Sequence, residues 1–226
     1  MRNHLTPGGL ARLPSRARQW GTAAALAIVL PAEAGRPLSV DDAGVAEQAG
    51  GQLEAWWEGG RGTKGNAYLA PAYSPWQGVE LGAVLARDFE GHATVQGLQV
   101  KWLWNASQEQ GCNAASTGGL LHTRHAPGNT LALGLVGTCN TAWGALHANL
   151  GALRLPARHW IPAWGFAVER ALGPITVHAE AFGQRGSAPT FQTGARWEWA
   201  PQWQIDGSLG RQQGRTLLSM GIQRGF

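Results

Sequence analysis

Residues 216–226 close the chain with the sequence TLLSMGIQRGF. Leu218, Met220 and Ile222 alternate there with serine, glycine and glutamine, and Phe226 follows in the same phase. Successive side chains of a β-strand point to opposite faces. The stretch therefore predicts a strand with one apolar wall and one wall of small or polar residues.

The same alternation recurs from residue 52 onward, in segments separated by glycine, proline, asparagine or serine. Most of these segments have about 9–13 residues, which exceeds the typical globular strand and suits a tilted crossing of a bilayer. The alternation is weakest in the fifth segment. We predict twelve strands, at residues 52–58, 66–74, 79–89, 93–105, 117–125, 130–140, 143–153, 160–172, 175–185, 190–199, 203–210 and 216–226.

Two architectures fit walls of this kind. A soluble β-sandwich buries its apolar walls, whereas a membrane barrel turns them towards lipid. The tryptophans favour the barrel, because most of them lie near segment ends, where a membrane barrel carries aromatic girdles. The predicted fold class is therefore all-β, a transmembrane antiparallel up-and-down β-barrel of about twelve strands. A secreted β-sandwich with a tryptophan-rich core is the alternative.

The first 34 residues have the organisation of a secretory signal peptide. Four arginines precede the apolar run at residues 20–30, and an Ala-Glu-Ala cleavage site follows at residues 32–34. The run is too short for a permanent helical span. We predict a cleaved signal peptide at residues 1–34, an N-terminal periplasmic segment at 35–51 and the barrel at 52–226.

The composition excludes several classes of protein. The 226 residues include 33 glycines and 12 tryptophans, yet only 14% are charged, which excludes a disordered polar chain and a coiled coil. Without residues 1–34 the net charge falls from +4 to +1, so nucleic-acid binding loses its electrostatic basis. No later apolar run is long enough for a transmembrane helix.

Phe226, preceded in alternation by Ile222 and Met220, resembles the C-terminal signal that the bacterial barrel-assembly machinery recognises. Arg224 departs from this signal, which usually has an aromatic or apolar residue there; its side chain could snorkel to the membrane interface. Together with the signal peptide and the long amphipathic strands, this end of the chain predicts a bacterial outer-membrane location. The expected partners are outer-membrane lipid and the assembly machinery.

An even number of strands places both termini in the periplasm, where the connections are short. The polar walls then face the lumen. Their candidate selectivity residues are Glu54, Glu80, Lys101, Glu169, Glu180, Arg196, Glu198 and Asp206. Carboxylates outnumber basic groups in this set, which favours cationic or neutral solutes over anions. The alternative is a barrel filled by side chains, with opposite charges paired across neighbouring strands.

Cys112 and Cys139 are candidates for one disulfide, which would pin the long connection predicted at residues 105–116. Two free thiols are the alternative. We expect no metal site, because two cysteines without suitably spaced histidines make a poor ligand set. No cofactor motif occurs, so we expect no cofactor.

An enzyme is not expected either. His147 and His178 could serve as bases for Ser208 or Ser219, but these residues lie on separate predicted strands and no local motif joins them. A membrane-embedded hydrolase is therefore the least favoured of the alternatives.

Residues 36–44, RPLSVDDAG, followed by QLEAW at residues 52–56, resemble the opening of a family of proteobacterial outer-membrane β-barrels. These barrels are sometimes grouped with the "MetA-pathway of phenol degradation" barrels. The resemblance implies outer-membrane transport of small or aromatic compounds. Together with the strand pattern, it favours a narrow channel or transporter for small solutes. The alternative is a side-chain-filled structural or interaction barrel of the outer membrane.

Overall fold

A computed structural model of the protein describes residues 38–156 and 159–226. The predicted signal peptide and its cleavage site lie outside the described residues. Within the described ranges, no helix is long and apolar enough to cross a membrane. The strands are β1 (Gly51–Gly59), β2 (Asn66–Trp76), β3 (Val79–Asp88), β4 (Thr94–Leu103), β5 (Gly111–Thr123), β6 (Asn129–Asn140), β7 (Ala145–Arg154), β8 (Trp160–Leu172), β9 (Ile175–Gln184), β10 (Thr190–Ala200), β11 (Trp203–Gln212) and β12 (Arg215–Gly225).

The strands form a closed barrel in which each one pairs antiparallel with its neighbours in sequence and β12 pairs with β1. At the closing seam, the Gly51 N–H donates to the Phe226 carbonyl, and the Phe226 N–H donates to the Gly51 carbonyl, both at 2.9 Å. Closure leaves no unpaired sheet edge. A β-structure within a bilayer requires such closure, because no water is available there to satisfy the backbone groups of an open edge. The predicted fold class is thus confirmed.

The fifth strand is present and starts earlier than the sequence predicts. β5 begins at Gly111 rather than at Thr117, and its first residues pair with the end of β6 in the register Cys112↔Cys139. The local sequence there, GCNAAS, alternates poorly, so the strand depends on pairing with its neighbour rather than on its own pattern. The long connection predicted at residues 105–116 is correspondingly shorter.

Residues with positive φ make the tight connection between β11 and β12. Gln213 and Gly214 join these strands with φ values of 49° and 80°, the combination that a type I′ hairpin turn needs.

The pairing of β2 with β3 is irregular at one point. Its register shifts between Tyr73 and Trp76, around Pro75, which has no N–H to donate to the ladder.

The outer face of the barrel is apolar. Leu98 and Leu150 are 68% and 66% exposed, and further leucine, valine and phenylalanine side chains share this face. Exposed tryptophans surround the end of the barrel at which β1 begins and β12 ends; they are Trp76, Trp102, Trp104, Trp143, Trp197 and Trp199. Trp160 and Trp164 lie towards the other end. This distribution of apolar and amphipathic side chains is that of a membrane-spanning surface.

One tryptophan departs from the predicted girdle. Trp56 faces the interior, where it is buried and stacks on Tyr68 with ring centroids 4.5 Å apart. Arg224 lies on the outer face with its guanidinium 5.0 Å from the Trp203 ring centroid. That cation–π contact accommodates the position where the assembly signal usually has an apolar residue.

Candidate channel lumen

The interior holds most of the candidate selectivity residues. Glu54, Glu80, Lys101, Glu169 and Glu180 are all buried on the inner face. Arg196 and Asp206 are half-buried on the same face, while Glu198 is exposed near the end of β10. A role in solute selection remains a prediction for the whole set.

The described N-terminal residues also lie inside the barrel. From Leu38 to Ala46 the segment contacts inward-facing side chains of strands from β3 to β10. This placement differs from the separate periplasmic segment that the sequence predicts. The physical reason is that an extended segment exposes unpaired backbone N–H groups, and the inner face supplies acceptors for them. We call residues 38–46 the lumen segment.

Glu180 of β9 is the principal acceptor for the lumen segment. Its carboxylate accepts hydrogen bonds from the Ser39 N–H at 2.8 Å and from the Val40 N–H at 2.8 Å. The Gln192 amide donates to the same carboxylate at 2.6 Å and to the Ser39 hydroxyl at 3.2 Å. Three donors thus meet one buried carboxyl group, and two of them are backbone N–H groups of the lumen segment.

Asp41 and Lys101 form a buried ion pair. The Lys101 ammonium donates to Asp41 Oδ1 at 2.7 Å and to the Asp42 carbonyl at 3.0 Å. Burial raises the pKa of Asp41 from 3.8 to about 7, because the loss of hydration outweighs the attraction of Lys101. The carboxylates of Asp42 and Glu80 add a smaller repulsion in the same direction.

A third set of polar contacts, after those of Glu180 and Lys101, connects the lumen segment to the buried His147 of β7. The Ala43 N–H donates to the Thr138 hydroxyl at 2.8 Å, and that hydroxyl lies 2.9 Å from His147 Nδ1. His147 Nε2 in turn lies 3.4 Å from Glu169, which pairs with Arg196 at 2.5 Å. The segment backbone is therefore connected through side chains to the Arg196–Glu169 ion pair.

Apolar contacts complete the docking. Leu38 and Val40 pack with Ala167 and Phe182 in one buried cluster, and Gly165 leaves the space that Val40 occupies. A Cβ built at Gly165 would come within 2.8 Å of Val40 Cγ2. Ala43 forms a second cluster, with Ala115 and Val136 of β5 and β6. Two of the interior apolar clusters thus depend on the lumen segment.

At its far end the segment reaches the opposite wall. The Ala46 N–H donates to Glu80 of β3 at 3.1 Å. Residues 47–49 are exposed, Ala49 has a φ of 67°, and the Ala49 N–H donates to the Ser74 carbonyl at 2.8 Å before β1 begins. This stretch connects the lumen segment to the barrel wall.

A cavity of about 140 Å³ adjoins the segment. Ser39, Val40 and Asp41 form part of its lining, and Gln212 and Gln213, at the connection between β11 and β12, form another part. The cavity is thus bounded on one side by the lumen segment and on another by the connection between β11 and β12.

The remaining candidates lie outside the lumen. Cys112 and Cys139 are joined by a disulfide between paired positions of β5 and β6, so the bridge links two neighbouring strands rather than closing a long turn. Met220, Ile222 and Phe226 are exposed on the outer face of the closing seam. Their role in assembly stays a prediction. In the described parts of the chain, no group of three or more histidine, cysteine, aspartate or glutamate side chains could hold a metal ion.

Few features of the sequence point to the lumen segment. No sequence pattern marks Asp41, Val40, Thr138 or Gly165 as site residues, because their roles come from contacts between distant parts of the chain. The available signal was Lys101: a lysine on the inward wall of a narrow barrel needs a buried counter-ion, and the paired aspartates at 41 and 42 could have been considered for that role.

The sequence matches the family described as "Uncharacterised conserved protein UCP029691" over residues 22–218. The chain belongs to this family. A comparison with curated proteins gives no match.

Similar solved structures are outer-membrane barrels. A KdgM porin shares 12% identity, with a TM-score of 0.67 over 77% of this chain and 99% of its own. A NanC porin shares 8% identity, with a TM-score of 0.55 over 77% and 98%. Omp33 of Acinetobacter baumannii shares 9% identity, with a TM-score of 0.51 over 80% and 98%. These likenesses establish an outer-membrane barrel fold; the resemblance to phenol-degradation barrels is not shown by them.

Proposed function

We propose that this protein is a narrow outer-membrane channel for small cationic or neutral polar solutes. The observation that carries the proposal is the charge of the inner face. Lys101 is paired with Asp41, and Arg196 is paired with Glu169, so both basic groups are neutralised locally. Further carboxylates, among them Glu54, Glu80 and Glu180, face the same lumen.

The excess of carboxylates over basic groups on the inner face gives the lumen a negative electrostatic potential. Charged walls of low dielectric raise the local concentration of counter-ions and repel ions of like charge. The fold likeness to porins is compatible with conduction. A KdgM porin has been solved in complex with disordered oligogalacturonate, which is a polyanion. The acidic inner face described above is poorly suited to a polyanion, so we propose a different solute class for this chain.

Liposome swelling tests the proposal. Purified protein is reconstituted and challenged with a neutral sugar, an organic cation and a carboxylate anion of similar size. We expect the cation and the sugar to enter faster than the anion. Heat-denatured protein is the control for leakage. Preferred entry of the anion would contradict the assignment of solute class.

A structural or interaction barrel is the second candidate, and the filled interior favours it. The clusters around Val40 and Ala43 occupy space that a solute would need. A barrel that stays sealed when the lumen segment is displaced would support this candidate. A hydrolase has less support, because His147 contacts Thr138 and Glu169 rather than a serine. We therefore propose no enzymatic activity.

A further inference from the structure

The lumen segment spans the barrel from wall to wall. It hydrogen-bonds Glu180 of β9 at one end and Glu80 of β3 at the other. In a closed ring of twelve strands, β3 and β9 lie opposite each other. On the side of the lumen formed by β11, β12 and β1, Glu54, Ser208 and Ser219 are also buried. The barrel is therefore filled at the depth of the segment.

We propose that the lumen contains a peptide-binding site, that residues 38–46 are its built-in ligand, and that their binding closes the channel. The inference rests on the proposed channel function. The site recognises an extended backbone through Glu180 and Thr138, a carboxylate through Lys101, and a small apolar side chain through the space above Gly165.

The barrel side chains that bind the lumen segment retain partners on the barrel wall when the segment leaves. Glu80 lies directly across from Lys101 in the β3–β4 register, so a second carboxylate is next to the Lys101 ammonium. Glu180 keeps the amide of Gln192 at 2.6 Å. Release therefore does not strand isolated buried charges, which is the large cost that would otherwise make the filling permanent.

The connection to β1 permits such a movement. Residues 47–49 are exposed, and Ala49 adopts a φ of 67°, in the left-handed region that a non-glycine residue seldom occupies. The Ala49 N–H donates to the Ser74 carbonyl, and the Gly50 N–H donates to the Glu47 carbonyl at 2.9 Å, so one of these two bonds ties the stretch to the barrel wall and the other closes a turn within it. The lumen segment can thus leave the interior without any rearrangement of the strands.

Two variants of the lumen segment and one control variant test closure. Val40→Asp places a charge in the apolar cluster of Ala167 and Phe182 and should release the segment. Gln48→Asp adds the same charge at an exposed position of the same chain region and is its matched control. The double variant Val40→Cys/Gly165→Cys should lock the segment when oxidised.

Planar-bilayer conductance is the readout. We expect the time-averaged conductance of Val40→Asp to exceed that of wild type and of Gln48→Asp by about tenfold or more, since a buried unpaired charge shifts such an equilibrium strongly. The oxidised double cysteine variant should conduct less than wild type and recover on reduction. Wild type treated with the same reductant controls for the native disulfide.

A synthetic peptide with the sequence of residues 38–47 tests the binding site independently of conduction. The fluorescent peptide should bind to Val40→Asp and close its conductance. It should not bind to the oxidised double cysteine variant. A peptide carrying Val40→Asp should bind more weakly, because its charge would enter the apolar cluster of Ala167 and Phe182.

The outcomes separate the two proposals. Equal conductance in wild type, Val40→Asp and the locked variant would overturn closure by the segment and leave the channel standing. The absence of conductance in all three proteins would overturn both the proposed channel and its closure by the segment. A peptide that binds equally to released and locked barrels would overturn the lumen site.

Discussion

At the residue scale, the lumen depends on a few buried polar groups that work in pairs. Asp41 pairs with Lys101, and Glu180 accepts hydrogen bonds from the backbone N–H groups of Ser39 and Val40. The sequence predicted that Lys101 and Glu180 face the lumen. It could not predict their partners, because the segment reaches them only through the three-dimensional closure of the barrel.

Lys101→Met should release the lumen segment at pH 8. The substitution leaves the Asp41 carboxylate buried without its counter-ion, and breaking a buried pair in this way typically costs about 3–5 kcal/mol. With a cysteine at position 40, we expect the rate of thiol labelling to rise by about tenfold or more. The double variant Asp41→Asn/Lys101→Met should restore much of the protection. Unchanged labelling in Lys101→Met would show that the pair does not hold the segment.

Segment docking should weaken as the pH rises from 6 to 8. Asp41 has a pKa of about 7 when docked and a value near 3.8 when free in water, so docking binds a proton. The resulting stabilisation is complete below about pH 4 and is lost as the pH rises through 7. We expect channel conductance to increase over this range. Asp41→Asn keeps Lys101, Glu80 and the histidines. Its conductance should lack the rise between pH 6 and 8 that the titration of Asp41 contributes.

At the element scale, the strands were predicted well and the N-terminal segment was not. Twelve strands with alternating walls were visible in the sequence because a two-sided environment imposes a period of two. β5 was the exception at its start, where pairing with β6 replaces the local pattern. Residues 38–46 have neither a strand period nor a helix period, so nothing local indicated that they lie within the barrel.

The disulfide should stabilise the β5–β6 pair without affecting conduction. Cys112 and Cys139 are 27 residues apart in sequence, and a bridge closing a loop of that size contributes about 2–4 kcal/mol, chiefly by restricting the unfolded chain. We expect Cys112→Ser/Cys139→Ser to lower the temperature at which the folded barrel unfolds in a heat-modifiability gel. Its bilayer conductance should match that of wild type. An unchanged unfolding temperature would contradict a stabilising role.

At the scale of the whole molecule, the barrel presents apolar side chains to lipid and polar side chains inward. The exposed leucines and the tryptophans near the strand ends suit a lipid environment. Lys101 and Arg196 are each paired with a carboxylate, so the further carboxylates make the interior acidic. Fold class and sidedness of the strands followed from the sequence pattern. The filling of the interior did not, since it arises from contacts between residues that are far apart along the chain.

The reversal potential of Val40→Asp in a planar bilayer under a KCl gradient tests the central claim most directly. If the acidic inner face lines a water-filled path, the potential will have the sign of K⁺ permeation. Glu180→Gln in the same background should shift it towards zero. A bilayer that stays sealed, or a potential with the sign of Cl⁻ permeation, would contradict the account.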